Sequence, residues 1–190
     1  ARGAGAGACR PWGRRPAARN AWPRVMGGRP AVPCCRLGAN EWQAYRAIRL
    51  AMLEDLPRLF GSTHAEAASF DEQLWRQRLA DNVVILAWVG TSTAGSVMYS
   101  EFGMPDPGDC ALYGMWVDPG FRGTGVGRAL VDAVVAQARV AGKRRVVLHV
   151  VSGNDTASRL YARAGFIRTG HTVPFPLDDG VFEVEMELVL

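Results

Sequence analysis

The sequence contains no run of apolar residues long enough to cross a membrane, because a spanning helix needs roughly 18 to 20 of them in succession. Collagen-like and low-complexity repeats are also missing from the body of the chain. We therefore expect neither a transmembrane nor a fibrous protein. The 190 residues are 48% hydrophobic and 21% charged, which is ordinary for a globular protein.

Metal-binding patterns are missing as well. The four cysteines form no C-x-x-C pair and have no spacing to histidine that would suit zinc. The three histidines are isolated from one another. We therefore expect no metal site, and the cysteine usage favours a cytoplasmic protein.

Acidic residues are absent from residues 1–40, which contain eight arginines. The rest of the chain carries 14 basic and 18 acidic residues, so the overall charge of +4 arises entirely from this head. Residues 1–30 are rich in Ala, Gly, Pro and Arg and have no hydrophobic period. We therefore predict a disordered extension at residues 1–30 and a single domain at residues 31–190.

The basic head has two functional interpretations. A nucleic-acid-binding tail fits the charge, but no aromatic platform alternates with the arginines in a folded module. A transit peptide fits the arginine content, but the chain has no serine before Ser62. We favour an extension without function, which a start near Met26 would explain, and we expect no nucleic-acid partner.

Helical periodicity predicts two helices early in the domain, after a short strand at residues 32–37. Asn40 should cap the first helix through a capping box, and Leu56-Pro57 should break that helix. Ser69 and Glu72 form a second capping box, which predicts that another helix begins at Ser69.

Extended segments dominate the next part of the chain. Residues 83–89, 96–102 and 110–118 predict a meander of three antiparallel strands. A helix that Gly142 ends follows, and then come a strand, a short helix capped by Asn154 and terminal antiparallel strands. This order predicts a mixed α/β sheet.

A glycine-rich loop, Arg122-Gly123-Thr124-Gly125-Val126-Gly127, joins the third strand of the meander to the following helix. The free N–H groups and the dipole of that helix make its N-terminus a candidate anion site. Gly125 and Gly127 should let a phosphate approach the backbone, and Arg122 and Arg128 add charge. The spacing fits neither G-x-G-x-x-G nor a P-loop, and a purely structural turn is the alternative.

The loop is part of a longer pattern. Val117-Asp118-Pro119 precedes Arg122-x-x-Gly125-x-Gly127, and Asn154 and Leu160-Tyr161-x-x-x-Gly165-Phe166 follow it. This pattern resembles the GNAT superfamily of acyl-CoA-dependent N-acetyltransferases, from about Val32 to the end of the chain. The resemblance implies a mixed, mostly antiparallel sheet that is flanked by helices and splayed at the acyl-CoA site.

The resemblance also implies the site residues. Tyr161 would be the general acid for the departing thiolate, since a phenol is protonated at neutral pH. A backbone N–H near Trp116 and Val117 would stabilise the oxyanion. The residues that would bind acetyl-CoA, the acyl donor, are Trp116, Val117, Arg122, Gly123, Thr124, Gly125, Val126, Gly127, Arg128, Asn154 and Ser158.

The general base is not evident. Many members of the family carry an acid on the strand before the glycine-rich loop, but residues 112–117 of this chain contain none. Tyr113, Glu101 and His149 are candidates. A water chain, or an acceptor amine of low pKa that needs no base, would serve equally.

We therefore expect direct transfer of an acetyl group from acetyl-CoA to a primary amine, and we expect a small molecule to carry that amine. Acetylation of a protein N-terminus or of lysine would use the same site. An acyl-CoA-binding or sensing module with little activity is a further alternative. The protein could also form a homodimer, and we expect no membrane partner.

Deletion of residues 1–30 should leave folding and acetyl transfer nearly unchanged, because their composition offers no apolar face that could pack. Melting temperature and affinity for acetyl-CoA would be compared between the truncated and the full chain. A fall of many degrees, or a loss of coenzyme affinity, would show that the head belongs to the domain.

Overall fold

The computed structural model describes residues 32–190, which form one seven-stranded sheet with helices on both faces. The extension predicted at residues 1–30 lies outside the described residues, so it and the domain boundary stay predictions. The elements in chain order are β1 (Cys34–Arg36), α1 (Trp42–Asp55), α2 (His64–Ala68), α3 (Glu72–Asp81), β2 (Asn82–Val89), β3 (Ser92–Ser100), β4 (Asp109–Val117), a 3-10 turn (Pro119–Phe121), α4 (Val126–Val140), β5 (Arg145–Val151), α5 (Asp155–Arg163), β6 (Ile167–Phe175) and β7 (Asp178–Val189).

The sheet has the order β1-β2-β3-β4-β5-β7-β6. All neighbouring strands pair antiparallel except β4 and β5, which pair parallel. Helix α4 packs on one face over a core that includes Leu130, Val134 and Leu148. Helices α1 and α3 cover part of the other face around Trp75 and Leu86. The predicted mixed, mostly antiparallel sheet flanked by helices is confirmed.

Packing rather than intrinsic propensity stabilises α4, since valine is a mediocre helix former. The residues that this helix buries recur at spacings of three and four: Val126, Leu130, Val131, Val134, Val135 and Ala138. Gly142 follows the helix with φ of +69°, the left-handed conformation that ends helices, so the predicted stop signal is correct.

The cap predicted for the first helix is wrong. Helix α1 has Glu41 as its N-cap residue, whereas Asn40 lies one residue earlier and accepts a hydrogen bond from Arg76 at 3.3 Å. The predicted end is correct, because α1 stops at Asp55, immediately before Leu56-Pro57. Glu41 makes no side-chain capping hydrogen bond, and its carboxylate instead accepts one from the N–H of Gly38 at 2.6 Å.

The start predicted at Ser69 is also wrong. A short helix, α2, precedes Ser69, which is its C-cap residue. Asp71 caps α3 instead, and its carboxylate accepts a hydrogen bond from the N–H of Leu74 at 2.8 Å. Aspartate caps a helix as well as serine does, and its charge also interacts favourably with the helix dipole.

A bulge in β4 changes which side chains face each core. Between Tyr113 and Trp116, β4 contains one residue more than the facing part of β3. Gly114 accommodates the extra residue with φ of +55°, which costs glycine little. As a result Leu112 packs beneath α4, whereas Trp116 packs on the opposite face with α1.

Strands β4 and β5 separate soon after they begin. They pair only at residues 109–111 of β4 and 145–147 of β5, although β4 continues to Val117 and β5 to Val151. Beyond residue 111, the peptide groups that β4 directs toward β5 therefore have no partner in that strand. The predicted splay of the sheet is confirmed and lies between these two strands.

Two kinds of feature are absent from the part of the chain that the structure describes. No helix in that part combines the length and the apolar composition that crossing a bilayer requires. Residues 32–190 also contain no group of three or more His, Cys, Asp or Glu side chains that could hold a metal ion.

Leu130→Ala should lower the free energy of unfolding by about 2 to 5 kcal/mol, because removal of this fully buried side chain leaves a cavity beneath α4. Val140→Ala in the same helix should change it by less than about 0.5 kcal/mol, since Val140 is 85% exposed. Urea denaturation measures both values. Equal destabilisation by the two variants would contradict the assignment of the buried face of α4.

Candidate functional site

The start of α4 presents unpaired backbone N–H groups. Gly125 is the N-cap residue, with φ of +101° and no side chain that could cap the helix. The N–H groups of the first turn have no acceptor within the helix, and the helix dipole is positive there. Val126 is 1% exposed and anchors this turn in the core. Free N–H groups at the start of a helix are suited to bind an anion.

The three glycines of the loop differ in what surrounds them. A Cβ atom built at Gly123 or Gly125 would meet nothing within 4 Å, and both residues have positive φ. A Cβ atom at Gly127 would lie 3.1 Å from a methyl group of Leu160 and 3.6 Å from one of Val117. Gly127 therefore permits close packing of α4 against α5 and β4, and this differs from the phosphate approach expected for it.

Asp55, the last residue of α1, binds two of the predicted site residues. Its Oδ2 accepts a hydrogen bond from Trp116 Nε1 at 2.8 Å and forms a close ion pair with Nη2 of Arg122. Arg122 Nε also donates to the carbonyl oxygen of Val117 at 3.1 Å. The side chain of Arg122 thus makes its contacts within the protein. Trp116 is 5% exposed, so only its backbone can contact a ligand.

Arg128 and Thr124 are exposed but also make contacts within the protein. Arg128 Nε donates to Asp132 Oδ1 at 2.8 Å, and its Nη1 donates to the carbonyl oxygen of Arg163 at 2.8 Å. Thr124 Oγ1 donates to the carbonyl oxygen of Phe121 at 2.6 Å. The contact between Arg128 and Arg163 joins the start of α4 to the end of α5.

Asn154, Ser158 and Tyr161 occupy one side of α5, because spacings of four and three residues return to the same helix face. Asn154 caps this helix as predicted, and its Oδ1 accepts a hydrogen bond from the N–H of Ala157 at 3.1 Å. Ser158 is partly exposed one turn later. The structure therefore aligns the N-cap residue and two helical residues of α5 that the sequence predicted for the site.

Tyr161 is 5% exposed, and its ring packs against Phe166 with the centroids 5.8 Å apart. Burial raises the pKa of the Tyr161 hydroxyl well above its usual range. No residue among those described accepts a hydrogen bond from this hydroxyl. The group is therefore protonated at neutral pH, and its proton is not already donated to another residue.

Glu101 lies at the wrong end of the sheet for a general base. It follows β3, whose last residue, Ser100, pairs with Ala111 near the start of β4, whereas the glycine-rich loop follows the end of β4. Its carboxylate accepts hydrogen bonds from Lys143 at 2.6 Å and Tyr99 at 2.5 Å, and these lower the pKa of Glu101. Glu101 is therefore too far from the glycine-rich loop to act as the general base, and that expectation is wrong.

Tyr113 and His149 share the sheet face opposite α4, because alternate residues such as Leu148 pack beneath that helix. His149 Nε2 lies 3.6 Å from Glu185 Oε2 on β7. Burial and then the negative charge of Glu183 raise the pKa of Tyr113. Burial also raises the pKa of Glu183, and His149 opposes that increase. Tyr113 and His149 thus remain candidates for the base and have acidic neighbours.

The sequence analysis missed two residues of α1 that reach this region. A carboxylate at the C-terminal end of a helix interacts unfavourably with the helix dipole. The position of Asp55 at the end of α1 could therefore have indicated that its side chain has a positively charged partner elsewhere in the fold. Arg49 lies beside the bulge, where a Cβ atom at Gly114 would be 3.5 Å from its Nη1. An isolated glycine in a strand is the usual sign of such a bulge.

A family match covers well over half of the chain. Residues 49–166 match the family described as the acetyltransferase (GNAT) family. Among curated relatives, the mycothiol acetyltransferase of Geodermatophilus obscurus is 36% identical over 126 residues, which are 62% of this chain and 41% of the relative. The chain thus spans less than half of the length of this relative.

Two solved structures show the same fold. Ribosomal-protein-alanine N-acetyltransferase from Brucella melitensis has a TM-score of 0.67 and 19% identity, with 84% of this chain and 100% of that chain covered. An acetyltransferase from Salmonella typhimurium, solved with its cofactor acetyl-CoA, has a TM-score of 0.66 and 19% identity, with 84% and 94% covered. At such identities the likeness concerns the fold alone.

Proposed function

We propose that this chain, which belongs to the acetyltransferase (GNAT) family, transfers an acetyl group from acetyl-CoA to the primary amine of a small molecule. One observation carries the proposal. The glycine-capped start of α4 follows directly on β4, the strand whose outer half has separated from β5. An anion site and an unpaired strand edge therefore adjoin each other, as a ligand with a pyrophosphate and an extended amide-containing arm requires.

The donor would bind mainly to the backbone. The N–H groups among residues 122–128 that have no acceptor in the protein would hold the pyrophosphate, because the side chains of Arg122 and Arg128 already bind Asp55 and Asp132. The free edge of β4 at residues 116–117 would pair with the pantetheine arm. Asn154 and Ser158 would face the arm from α5.

The reaction would begin when the neutral amine nitrogen attacks the carbonyl carbon of the thioester. Negative charge then develops on the carbonyl oxygen, and the N–H of Trp116 or Val117 would donate a hydrogen bond to it. Cleavage of the C–S bond releases the thiolate, which takes a proton from the Tyr161 hydroxyl. The nitrogen loses a proton to the base, so that the products are an amide and the free thiol of coenzyme A. Transfer of a proton from the base back to Tyr161, directly or through water, would then restore the enzyme.

The acceptor and the base are the open parts of this proposal. Tyr113, His149, a water chain, or an amine of low pKa could each account for the lost proton. The name of the Geodermatophilus relative favours a small-molecule acceptor, and the name of the Brucella structure keeps a protein N-terminus as the alternative. An untargeted screen for acetylated products, with small amines and peptides in one mixture, would decide between them.

An acyl-CoA-binding module with little activity is the rival from a different class, since the strand before the loop carries no acid. Incubation with acetyl-CoA and a mixed amine panel, followed by measurement of free thiol, separates the two. Release of thiol that depends on an amine supports the transferase. Tight binding of acetyl-CoA without release of thiol would support the binding module.

A homodimer would use the outer edge of the sheet. Strand β6 is an edge strand, and Ile167 on it is 62% exposed. An exposed strand edge of this kind can pair with another chain. The dimer and the cytoplasmic location stay predictions.

Gly125→Val should abolish binding of acetyl-CoA, because a β-branched residue is strained at φ of +101° and its side chain would displace the pyrophosphate from the first turn of α4. Calorimetry on the folded variant measures the affinity. Unchanged affinity would refute the assignment of this site.

Gly142→Val is the matched control for that variant. Gly142 also has positive φ, +69°, with nothing within 4 Å of a built Cβ atom, but it lies beyond the opposite end of the same helix. The control should lose comparable stability and keep its affinity for acetyl-CoA. Loss of affinity in both variants would mean that backbone strain alone is responsible.

Tyr161→Phe should lower the single-turnover rate by about 10²- to 10⁴-fold, because it removes the proton donor and keeps the packing of the ring. The affinity for acetyl-CoA should change little, since the interaction forms only as the thiolate departs. A wild-type single-turnover rate would return Tyr161 to a purely structural role and leave the proton to water.

Tyr99→Phe provides the control for loss of a buried tyrosine hydroxyl. Tyr99 is 3% exposed and its hydroxyl donates to Glu101, at the end of the sheet far from the loop. This variant should lose some stability and retain the wild-type single-turnover rate. Equal loss of rate in both variants would point to general destabilisation.

A further inference from the structure

Arg49 on α1 is partly buried, and no carboxylate among residues 32–190 forms an ion pair with it. Its Nη2 donates to the hydroxyl of Ser62 at 2.5 Å, and its Nη1 lies 3.7 Å from the sulfur of Met52. The guanidinium carbon lies 5.6 Å from the centre of the Phe60 ring. None of the ion pairs among residues 32–190 includes Arg49.

This arrangement is unusual for an arginine away from bulk water. A guanidinium has five N–H donors and stays charged, so a partly buried one is normally paired with an acid. Burial lowers the pKa of Arg49, and Tyr45 opposes that decrease; Arg78 then lowers the pKa and Glu66 raises it, both by less. The Arg49 guanidinium is therefore a cation that is partly removed from water and has no ion-pair partner among the described residues.

The position of Arg49 connects it to the proposed acyl-transfer site. A Cβ atom at Gly114, the bulge residue of β4, would be 3.5 Å from Nη1 of Arg49. Arg49 and Gly114 also line one small cavity between α1 and the strands β3 and β4. The guanidinium thus lies beside the strand proposed to hold the acyl arm, on the face of the sheet opposite α4.

An acceptor has to reach the thioester from the side that coenzyme A leaves open. The pyrophosphate would occupy the start of α4, so the acceptor would approach from the α1 face. We propose that Arg49 binds a carboxylate of the acceptor and that the acceptor is an amine carrying a carboxylate, as an α-amino acid does. A planar guanidinium matches a carboxylate through two parallel hydrogen bonds.

This inference rests on the proposed function, and the competing explanation is that Arg49 only holds Phe60 and Ser62 against α1. The two roles of Arg49 predict different effects of its replacement on different acceptors. A purely structural arginine would affect all acceptors alike when it is replaced. A carboxylate-binding arginine would affect only those acceptors that carry the carboxylate.

The test uses pairs of acceptors that differ only in the carboxylate, such as leucine with 3-methylbutylamine and phenylalanine with phenethylamine. The wild-type protein should prefer the amino acid of a pair. Arg49→Gln should lower kcat/KM for the amino acid by about 30-fold or more, mostly through KM, and change that for the plain amine by less than about threefold. Arg49→Lys should recover only part of the loss, because it restores the charge without the planar fork.

Arg46→Gln on the same helix is the control, and it should leave both acceptors unchanged. Equal losses for the two members of a pair in Arg49→Gln, or a wild-type preference for the plain amine, would overturn the inference. Calorimetry with acetyl-CoA should give the wild-type affinity in every variant.

A binding measurement separates failure of this inference from failure of the proposed function. If the wild-type protein released no thiol with any amine, the proposed function would fail. Binding of N-acetyl-leucine, followed by NMR, would still test Arg49. Binding to the wild type that Arg49→Gln loses supports the carboxylate site, and absent or equal binding in the two proteins overturns it.

Discussion

Strands β4 and β5 are held together at one end only, and the site depends on that asymmetry. At the closed end, Arg145 binds Asp109 on β4 through a close ion pair and Glu187 on β7 at 2.8 Å. Asp109 is 5% exposed, so loss of its partner would leave a buried charge, which typically costs about 3 to 5 kcal/mol. The clamp lies where the strands start, so their separation opens a free edge beside the start of α4.

At the open end, where β4 no longer pairs with β5, contacts with α1 hold β4 in place. Asp55 binds the indole of Trp116 and the guanidinium of Arg122, so one carboxylate joins α1, the end of β4 and the glycine-rich loop. The bulge at Gly114 makes this possible, because it turns Trp116 toward α1 rather than α4. The edge of β4 that faces the gap remains free.

Local signals in the sequence predicted the parts of the fold that local interactions determine. The order of the strands, the splay implied by the resemblance, the cap at Asn154 and the stop at Gly142 are correct, whereas the short helix α2 was not predicted. The caps predicted at Asn40 and Ser69 are wrong: Glu41 is the N-cap residue of α1, and Asp71, two residues after Ser69, caps α3. Glu101 was misplaced for a different reason: in a hairpin, the end of β3 lies beside the start of β4, so its distance from the loop followed from the antiparallel pairing.

Ion pairs between residues far apart in the chain could not be predicted from local sequence patterns, and they change the interpretation of the site. The motif suggested that Arg122 and Arg128 would supply positive charge to an anion, yet both are paired with carboxylates, and the backbone of α4 is left for that task. Arg49, which no motif indicated, lies near β4 and has no such partner among the residues that the structure describes. On the proposed function, the two faces of β4 would therefore recognise different anions: a pyrophosphate through peptide groups on one side, and a carboxylate through a guanidinium on the other.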